Sequence, residues 1–301
     1  MQQFIHQLQQ RNYKAYYLAI LRVAVCVWFL VEMLQRWPTY KLMYSSNSFL
    51  KIYPEGLLDS IGIDTFFLRE HYVYMLVACI MLLLLNLLGI GRNLVAFLLF
   101  IAYVLLYNMN NRFGNGGDKM SVILLFYLSF ANTYSHFTLL KRKPLPLEKE
   151  GLYNLVSNLA AYGIMINLAI VYFVAGLSKL NEPYWQQGTA IHYFINDDRY
   201  SVFAYGGRLV QWPQWFNYSI NYGTVALELV FPFAVWFKKG RNIVLLLCLI
   251  MHLGIYLFLM IYGMSLIFLI QYGLFFSEEE VKGLAKKIKG FFTKRFSFAS
   301  T

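Results

Sequence analysis

The chain has 301 residues, of which 59% are hydrophobic and only 14% are charged, and its mean hydropathy is +0.49. Soluble domains carry about 45–50% apolar and about 25% charged residues, so this composition excludes an ordinary water-soluble protein. The net charge of +11 lies in short Lys and Arg clusters between apolar runs, which argues against nucleic-acid binding and favours contact with membrane lipids.

Apolar runs of bilayer length predict about eight transmembrane helices, since a spanning helix needs roughly 20 mostly apolar residues. The predicted spans cover residues 16–34, 72–90, 93–108, 120–140, 153–179, 221–237, 242–262 and 264–276. The last two share one run that is long for one span and short for two, so the count is seven or eight, with Gly263 as the candidate break. The predicted fold class is all-α, a polytopic transmembrane helical bundle.

Positive charge predicts the orientation of this bundle. With eight spans and a cytoplasmic N-terminus, most of the 26 Lys and Arg residues fall in inner segments. Both termini are therefore predicted to be cytoplasmic. The longer connections at 35–71, 109–119 and 180–220 then face outward, and they are the candidate ligand-binding surface.

Residues 277–301 form a separate basic tail after a membrane domain at 1–276. Ser277 and Glu280 have the spacing of a capping box, which predicts a helix start. Apolar residues follow at helical spacing on one face, with lysines mostly on the other. This pattern predicts an amphipathic helix at the inner membrane interface, with a solvated tail as the alternative.

Several polar side chains lie inside the apolar runs, where a charge costs roughly 2.5–3.5 kcal/mol on insertion scales. They are Arg22, Glu32, Asn86, Asn167, Glu228 and His252. Arg22 can snorkel to the inner interface, Glu32 can cap or pair at the outer one, and the asparagines can join helices. Glu228 and His252 are open to both a structural and a functional interpretation. The three cysteines form no paired motif, and no metal-ligand spacing is present, so no metal is expected.

The segment YFVAGLSKLNEPYWQQGTAIHYF, residues 172–194, is the strongest local feature. Tyr172, Gly176 and Lys179 fall on one helical stripe, and the small residues permit close helix approach. Lys179 ends the stripe at the outer boundary, where it could snorkel or act as a partly desolvated base. In a second segment, NNRFGNGGDKMSV at 110–122, Asn115 precedes a tight turn and Asp118 is placed as a helix N-cap.

These two segments resemble motifs of the HTTM (horizontally transferred transmembrane) family, the membrane domain of vitamin K-dependent γ-glutamyl carboxylase. NGGDKMSVILLFYLSFA is similar to its third-to-fourth helix motif, YFVAGLSKLNEPYWQQGTAIHYF to its central motif, and IYPEGLL at 52–58 to its first outer loop. The resemblance covers residues 15–276 and implies a small bacterial form in the cytoplasmic (inner) membrane.

The resemblance implies that Lys179 is the base that deprotonates a reduced, vitamin K-like quinone. Around this base we expect an outward-facing cavity in which Asn115, Asp118, Tyr172, Glu228 and His252 give polar support and Trp185 shapes the mouth. The chain departs from the carboxylase in having no His near Asp118 and no large soluble domain, which argues against a full protein carboxylase.

Three functional hypotheses follow. The first is a quinone-dependent, carboxylase- or epoxidase-like lyase acting on a lipidic quinone or a peptide or protein substrate. The second is a non-catalytic membrane partner in peptide or toxin maturation or export, working with a membrane or thiol-oxidoreductase-like protein, as the resemblance to small bacterial members implies. A transporter is the third, and the absence of an inverted repeat in the sequence disfavours it.

Overall fold

The computed structural model describes residues 2–46, 57–109, 116–140, 146–204 and 209–297, and this part of the chain is helical without strands. Short 3₁₀ turns occur at Trp37–Thr39 and Tyr272–Phe275. The α-helices are α1 (Gln2–Gln10), α2 (Ala15–Arg36), α3 (Tyr40–Tyr44), α4 (Leu57–Ser60), α5 (Thr65–Glu70), α6 (Tyr72–Leu88), α7 (Arg92–Met109), α8 (Gly116–Phe130), α9 (Leu147–Leu180), α10 (Pro183–Gln186), α11 (Ala190–Ile195), α12 (Gln214–Ala234), α13 (Lys238–Phe258), α14 (Tyr262–Leu269) and α15 (Glu278–Ser297).

Four stretches of described residues are long and apolar enough to cross a membrane. They are Ala15–Tyr44, Arg92–Met109, Leu147–Leu180 and Lys238–Phe258. Two shorter apolar stretches, Tyr72–Leu88 and Tyr262–Phe275, fall below that length. The all-helical class is thus confirmed for the described residues, and the four candidate spans are consistent with a membrane protein, while the count of eight stays a prediction.

The chain divides into two compact units. Unit 1 comprises Met1–Tyr162 and Phe276–Thr301, and unit 2 comprises Gly163–Phe275. Unit 1 packs α2, α6, α7 and α8 around a core of buried leucines with Phe29 and Met109. Unit 2 packs α12, α13 and α14 with the second half of α9, and its core is aromatic around Tyr172 and Phe231. The division falls within α9, so each unit contains about half of that helix.

The predicted helix over 120–140 is wrong beyond Phe130, where α8 ends. The chain from 131 to 140 is irregular because polar side chains from other parts of unit 1 form hydrogen bonds with backbone groups at its start. Asn93 donates to the carbonyls of Ser129 and Ala131 at 2.8 and 3.1 Å, and the Ser157 hydroxyl accepts from the Asn132 amide at 2.9 Å. In an apolar environment every backbone N–H and C=O group needs a hydrogen-bond partner. Where side chains supply these partners, the backbone does not have to be helical.

Two other predicted boundaries shift by several residues. The break in the long C-terminal apolar run lies at 259–261, before Gly263, where Met260 has a positive φ of 53° and α14 begins at Tyr262. The helix that follows, Tyr262–Leu269, has only 8 residues. In unit 1, α6 stops at Leu88 because Gly89 adopts the left-handed conformation that closes a helix C-terminus.

The capping box at the start of α15 is confirmed. The Ser277 amide donates to the Glu280 carboxylate at 2.8 Å, and the Glu280 amide donates to the Ser277 hydroxyl at 3.2 Å. The first turns of α15 pack against α2, and the Lys282 ammonium lies 5.8 Å from the centre of the Tyr16 ring. Leu284 and Ile288, one turn apart, are exposed, so this part of the helix presents apolar side chains that no protein covers.

Candidate functional site

The candidate site lies in unit 2, where the C-terminal half of α9 meets α12. Gly176 makes this contact close: a Cβ atom at its position would lie 2.9 Å from the Leu229 side chain and 3.2 Å from the Glu228 Cβ. Both distances are shorter than ordinary van der Waals contact, so the site needs glycine. This approach brings the next turn of α9, with Lys179, beside Glu228 of α12.

Lys179 and Glu228 form a two-pronged ion pair, with Nζ 2.9 Å from Oε1 and 2.8 Å from Oε2. The Lys179 side chain is 21% exposed and that of Glu228 only 8%, so the pair is largely withdrawn from solvent but open on the amine side. The predicted reach of Lys179 to Glu228 is therefore direct. Each charge offsets the other, which reduces the cost of burying both.

Trp185 covers the open side of this pair. The Lys179 ammonium lies 5.1 Å from the centre of the indole ring, within the range of a cation–π contact. Trp185 belongs to α10, in a connection that is held against α12 by Asn221. The Asn221 amide donates to the Gly188 carbonyl at 2.9 Å, and its oxygen accepts from the Ile191 amide at 3.2 Å.

Asn221 is fully buried, and it is not among the site residues predicted from the sequence. Its signal in the sequence is an asparagine among the apolar and aromatic residues of α12, at a position that needs hydrogen-bond partners. Gly188, which accepts the Asn221 hydrogen bond, is also required at its position. Its φ is 69°, and a Cβ atom there would lie 2.3 Å from the Tyr218 ring. Together the two residues fix the connection that positions Trp185.

A second polar group lies on the same face of α9, two turns before Lys179. The Tyr172 hydroxyl is 2.8 Å from Nε2 of His252 on α13, and it makes a short contact with the Tyr272 hydroxyl. All three side chains are buried, and Phe231 and Phe268 pack on the Tyr172 ring. Nδ1 of His252 is buried without a hydrogen-bond partner.

The unpartnered Nδ1 favours one arrangement of protons in this group. An orphaned N–H donor is costly in an apolar interior, so the His252 proton is best placed on Nε2. His252 then donates to the Tyr172 hydroxyl, which donates to Tyr272. The structure thus brings Tyr172 and His252 together as predicted site residues and adds Tyr272, whose signal was only a tyrosine within an apolar run.

The connection between α11 and α12 contains a second ion pair, Arg199–Asp197, which is more exposed than the Lys179–Glu228 pair. Arg199 donates to Asp197 through Nε at 2.9 Å and through Nη2 at 2.6 Å. The side-chain hydrogen bond from Arg199, together with that from its backbone amide, lowers the pKa of Asp197 to about 2. Because the folded pKa is depressed, the pair contributes above the ordinary Asp range and is lost as pH falls toward 2.

The remaining predicted site residues belong to unit 1 or lie outside the described residues. Asp118 is half-buried in the first turn of α8, where it lines a cavity at the ends of α2 and α7. Asn115 lies outside the described residues, as does most of the IYPEGLL segment. Within the described chain, no group of three or more His, Cys, Asp or Glu side chains is arranged to hold a metal ion.

No protein-family model, no curated protein and no solved structure matches this chain. The site itself offers an amine, a carboxylate and an indole at one place and a Tyr–His–Tyr group elsewhere in the same unit.

Proposed function

We propose that this chain is a bacterial inner-membrane protein with a membrane-embedded acid–base site in unit 2, where Lys179 acts as the base and Glu228 as its proton acceptor. The proposal extends to an eight-span bundle with both termini cytoplasmic and α15 on the inner leaflet. Four apolar spans and the exposed Leu284 and Ile288 of α15 support the membrane assignment. The observation that carries the function is the Lys179–Glu228 pair beneath Trp185.

The short distances within the pair support a proton-exchange role for it. In the resting ion pair the Lys179 ammonium carries a proton, and an ammonium is not a base. The carboxylate 2.8 Å away can take this proton, which leaves a neutral amine beside a neutral acid. In a site withdrawn from water the neutral pair is less costly relative to the ion pair than it is in solution, because only the ion pair requires two charges to lose their hydration. The amine of Lys179 can then accept a proton from a substrate hydroxyl.

The residues of the site fit a reduced quinone, the ligand that the resemblance to the HTTM family implies. Such a ligand would supply an acidic aromatic hydroxyl, and Trp185 offers a flat aromatic surface at the open side of the amine. Lys179 would hold the hydroxyl proton at Nζ. The Tyr172–His252–Tyr272 group lies two turns deeper along α9 and would buffer protons through its hydroxyls and imidazole.

A second candidate function is a non-catalytic membrane partner in peptide or toxin maturation or export. The closed, two-pronged form of the Lys179–Glu228 pair favours it, because such a pair also joins two helices. In that case the pair acts only as a link between α9 and α12. The two candidates differ in what an arginine at position 179 would do, because arginine keeps the ion pair but cannot give up its proton.

The experiment compares Lys179→Arg with the wild type in lipid nanodiscs, using reduced menaquinone-4 as the probe and oxygen uptake as the readout. We expect protein-dependent oxygen uptake that falls by about 100-fold in Lys179→Arg and in Glu228→Gln, since a positioned base typically contributes 10²–10⁴-fold. Lys239→Arg, an exposed lysine outside the site, is the matched control and should retain full uptake.

Thermal unfolding of the same samples separates the two candidates. Equal unfolding temperatures for the wild type and Lys179→Arg, with lost uptake only in the variant, support the base. Absence of any protein-dependent uptake in the wild type, or full uptake in Lys179→Arg, would overturn the acid–base proposal and favour the partner function.

A further inference from the structure

Helix α15 is held at one end of α2, where that candidate membrane span begins. The first turns of α15 pack against α2, and the Lys282 ammonium lies 5.8 Å from the ring centre of Tyr16, the second residue of α2. Just before α15, the Lys14 ammonium donates to the Phe276 carbonyl at 2.6 Å. Because α2 is long and apolar enough to cross a membrane, α15 starts close to the level at which this span leaves the bilayer.

The charges of α15 are separated along its length. Its acidic residues are confined to the first turn, where Glu280 closes the capping box with Ser277 and the Glu278 carboxylate pairs with the Lys282 ammonium one turn later. Over residues 281–301 the sequence has six basic and no acidic residues. The helix therefore carries negative charge only at its start and positive charge along the rest of its length.

The middle of α15 presents a lysine beside two apolar side chains. Leu284 and Ile288 lie one turn apart and are 60% and 49% exposed. Lys287 is exposed as well, and because it follows Leu284 by three residues, the two are neighbours on the helix surface. Lys287 forms no ion pair with any residue in the described part of the chain. We call the surface formed by Leu284, Lys287 and Ile288 the α15 face.

We infer that the α15 face docks onto anionic phospholipids, an inference that rests on the proposed placement of α15 on the inner leaflet and adds the class of lipid. Leu284 and Ile288 enter the boundary of the acyl chains, and the Lys287 ammonium reaches the headgroups beside them. A zwitterionic headgroup carries no net charge, whereas an anionic one gives Lys287 a counter-charge. The excess of basic residues over 281–301 adds to this attraction.

Fluorescence quenching by spin-labelled lipids tests this docking on the full chain in nanodiscs of phosphatidylcholine and phosphatidylglycerol in equal amounts. The fluorophore is attached to Gly283→Cys, one turn before Lys287, where an added Cβ atom has nothing within 4 Å. A trace of either lipid carries a spin label on its acyl chain. We expect phosphatidylglycerol to be enriched about fivefold over phosphatidylcholine around the fluorophore, since one lysine at an anionic surface favours binding by a factor of about five.

Two neighbouring lysines provide the variant and its matched control. Lys287→Gln should lose the preference for phosphatidylglycerol. Lys286→Gln removes the same charge from an exposed residue on the opposite side of the helix and should retain most of the preference. The preference of the wild type should also weaken at 1 M salt, where the Debye length is about 3 Å. Circular dichroism of every variant establishes that the fold is retained.

Three results would overturn the inference, and each has a different meaning. Equal quenching by the two lipids in the wild type would remove the anionic partner and leave α15 on the membrane. Quenching by neither lipid would show that α15 does not lie on the bilayer. Equal effects of Lys286→Gln and Lys287→Gln would show that net charge, and not the α15 face, selects the lipid. Oxygen uptake, which tests the Lys179 site, is a separate measurement, so failure of the acid–base proposal is distinguishable from all three.

Discussion

Arg22 shows how a single residue organises one unit. The sequence predicts that it snorkels toward the inner interface, but this is wrong: only 1% of the residue is exposed. Its guanidinium donates to five backbone carbonyls, those of Asn86, Leu87, Thr133, His136 and Phe137. Two of these belong to the last turn of α6, the negative end of that helix, and three belong to the irregular segment after α8.

The buried charge of Arg22 is thus compensated by carbonyl dipoles. We expect Arg22→Lys to lower the free energy of unfolding by about 3 kcal/mol, because an ammonium has three donors and leaves buried carbonyls unsatisfied. Thermal unfolding in detergent micelles, followed by circular dichroism, measures the loss.

Arg199→Lys is the control for this prediction. Arg199 is exposed and bonds a half-buried aspartate in a connection, so its replacement should change stability by no more than about 0.5 kcal/mol. Equal unfolding temperatures for Arg22→Lys and the wild type would show that the five hydrogen bonds contribute nothing to the stability of unit 1.

At the scale of elements, the α9–α12 contact decides whether the candidate site exists. The sequence predicts a close approach from Ala175 and Gly176, and the structure has it at Gly176, against Leu229 and Glu228 of α12. In lipid, helices associate largely through such close packing and hydrogen bonds. The ion pair of Lys179 therefore depends on a residue that itself has no side chain.

We expect Gly176→Ala to destabilise unit 2 by about 1–3 kcal/mol, because its methyl group would sit 2.9 Å from the Leu229 side chain and push the helices apart. The same change should separate Lys179 from Glu228. Thermal unfolding measures the first effect. The second is measured by the reactivity of the Lys179 amine toward a small acylating reagent, which should rise as the amine becomes accessible.

Gly223→Ala on α12 is the matched control, because a Cβ atom there has nothing within 4 Å. Alanine favours a helix over glycine by up to about 1 kcal/mol, so this variant should be neutral or slightly more stable. Adding Leu229→Ala to the Gly176→Ala variant should restore part of the lost stability, because it removes the side chain that the new methyl group meets. Equal effects of the two glycine variants would show that α9 and α12 are not in close contact.

At the scale of the whole molecule, the proposed topology states which helices cross the bilayer and in which direction. Four described spans are long enough to cross, and shorter apolar helices, such as α6 and α14, accompany them. Helices of this length can still cross where they tilt little or where the bilayer thins. The proposed orientation rests on the Lys and Arg asymmetry of the connections.

We expect a cysteine at Gln211 to be labelled by a membrane-impermeant maleimide in intact cells, and a cysteine at Lys239 to be labelled only after lysis. Both positions are exposed and lie on opposite sides of α12 in sequence. The native cysteines, Cys26, Cys79 and Cys248, are buried and should give little background. Labelling of Lys239→Cys from outside would reverse the proposed orientation.

The sequence by itself determined the helical class, the four candidate spans and the capping box of α15, because apolar composition and local spacing depend only on neighbours along the chain. It also identified Lys179, Glu228 and His252 as costly residues in apolar runs. The tertiary structure decided their partners, since an ion pair 49 residues apart in sequence depends on which helices pack.

The same reason explains what the sequence missed or predicted incorrectly. The carbonyls that Arg22 binds, the end of α8 at Phe130, and the roles of Asn221 and Tyr272 each depend on a contact between segments far apart in the chain. Periodicity and charge in the sequence indicate which polar residues are buried and therefore require a partner. Only the packing of the helices determines which residue supplies it.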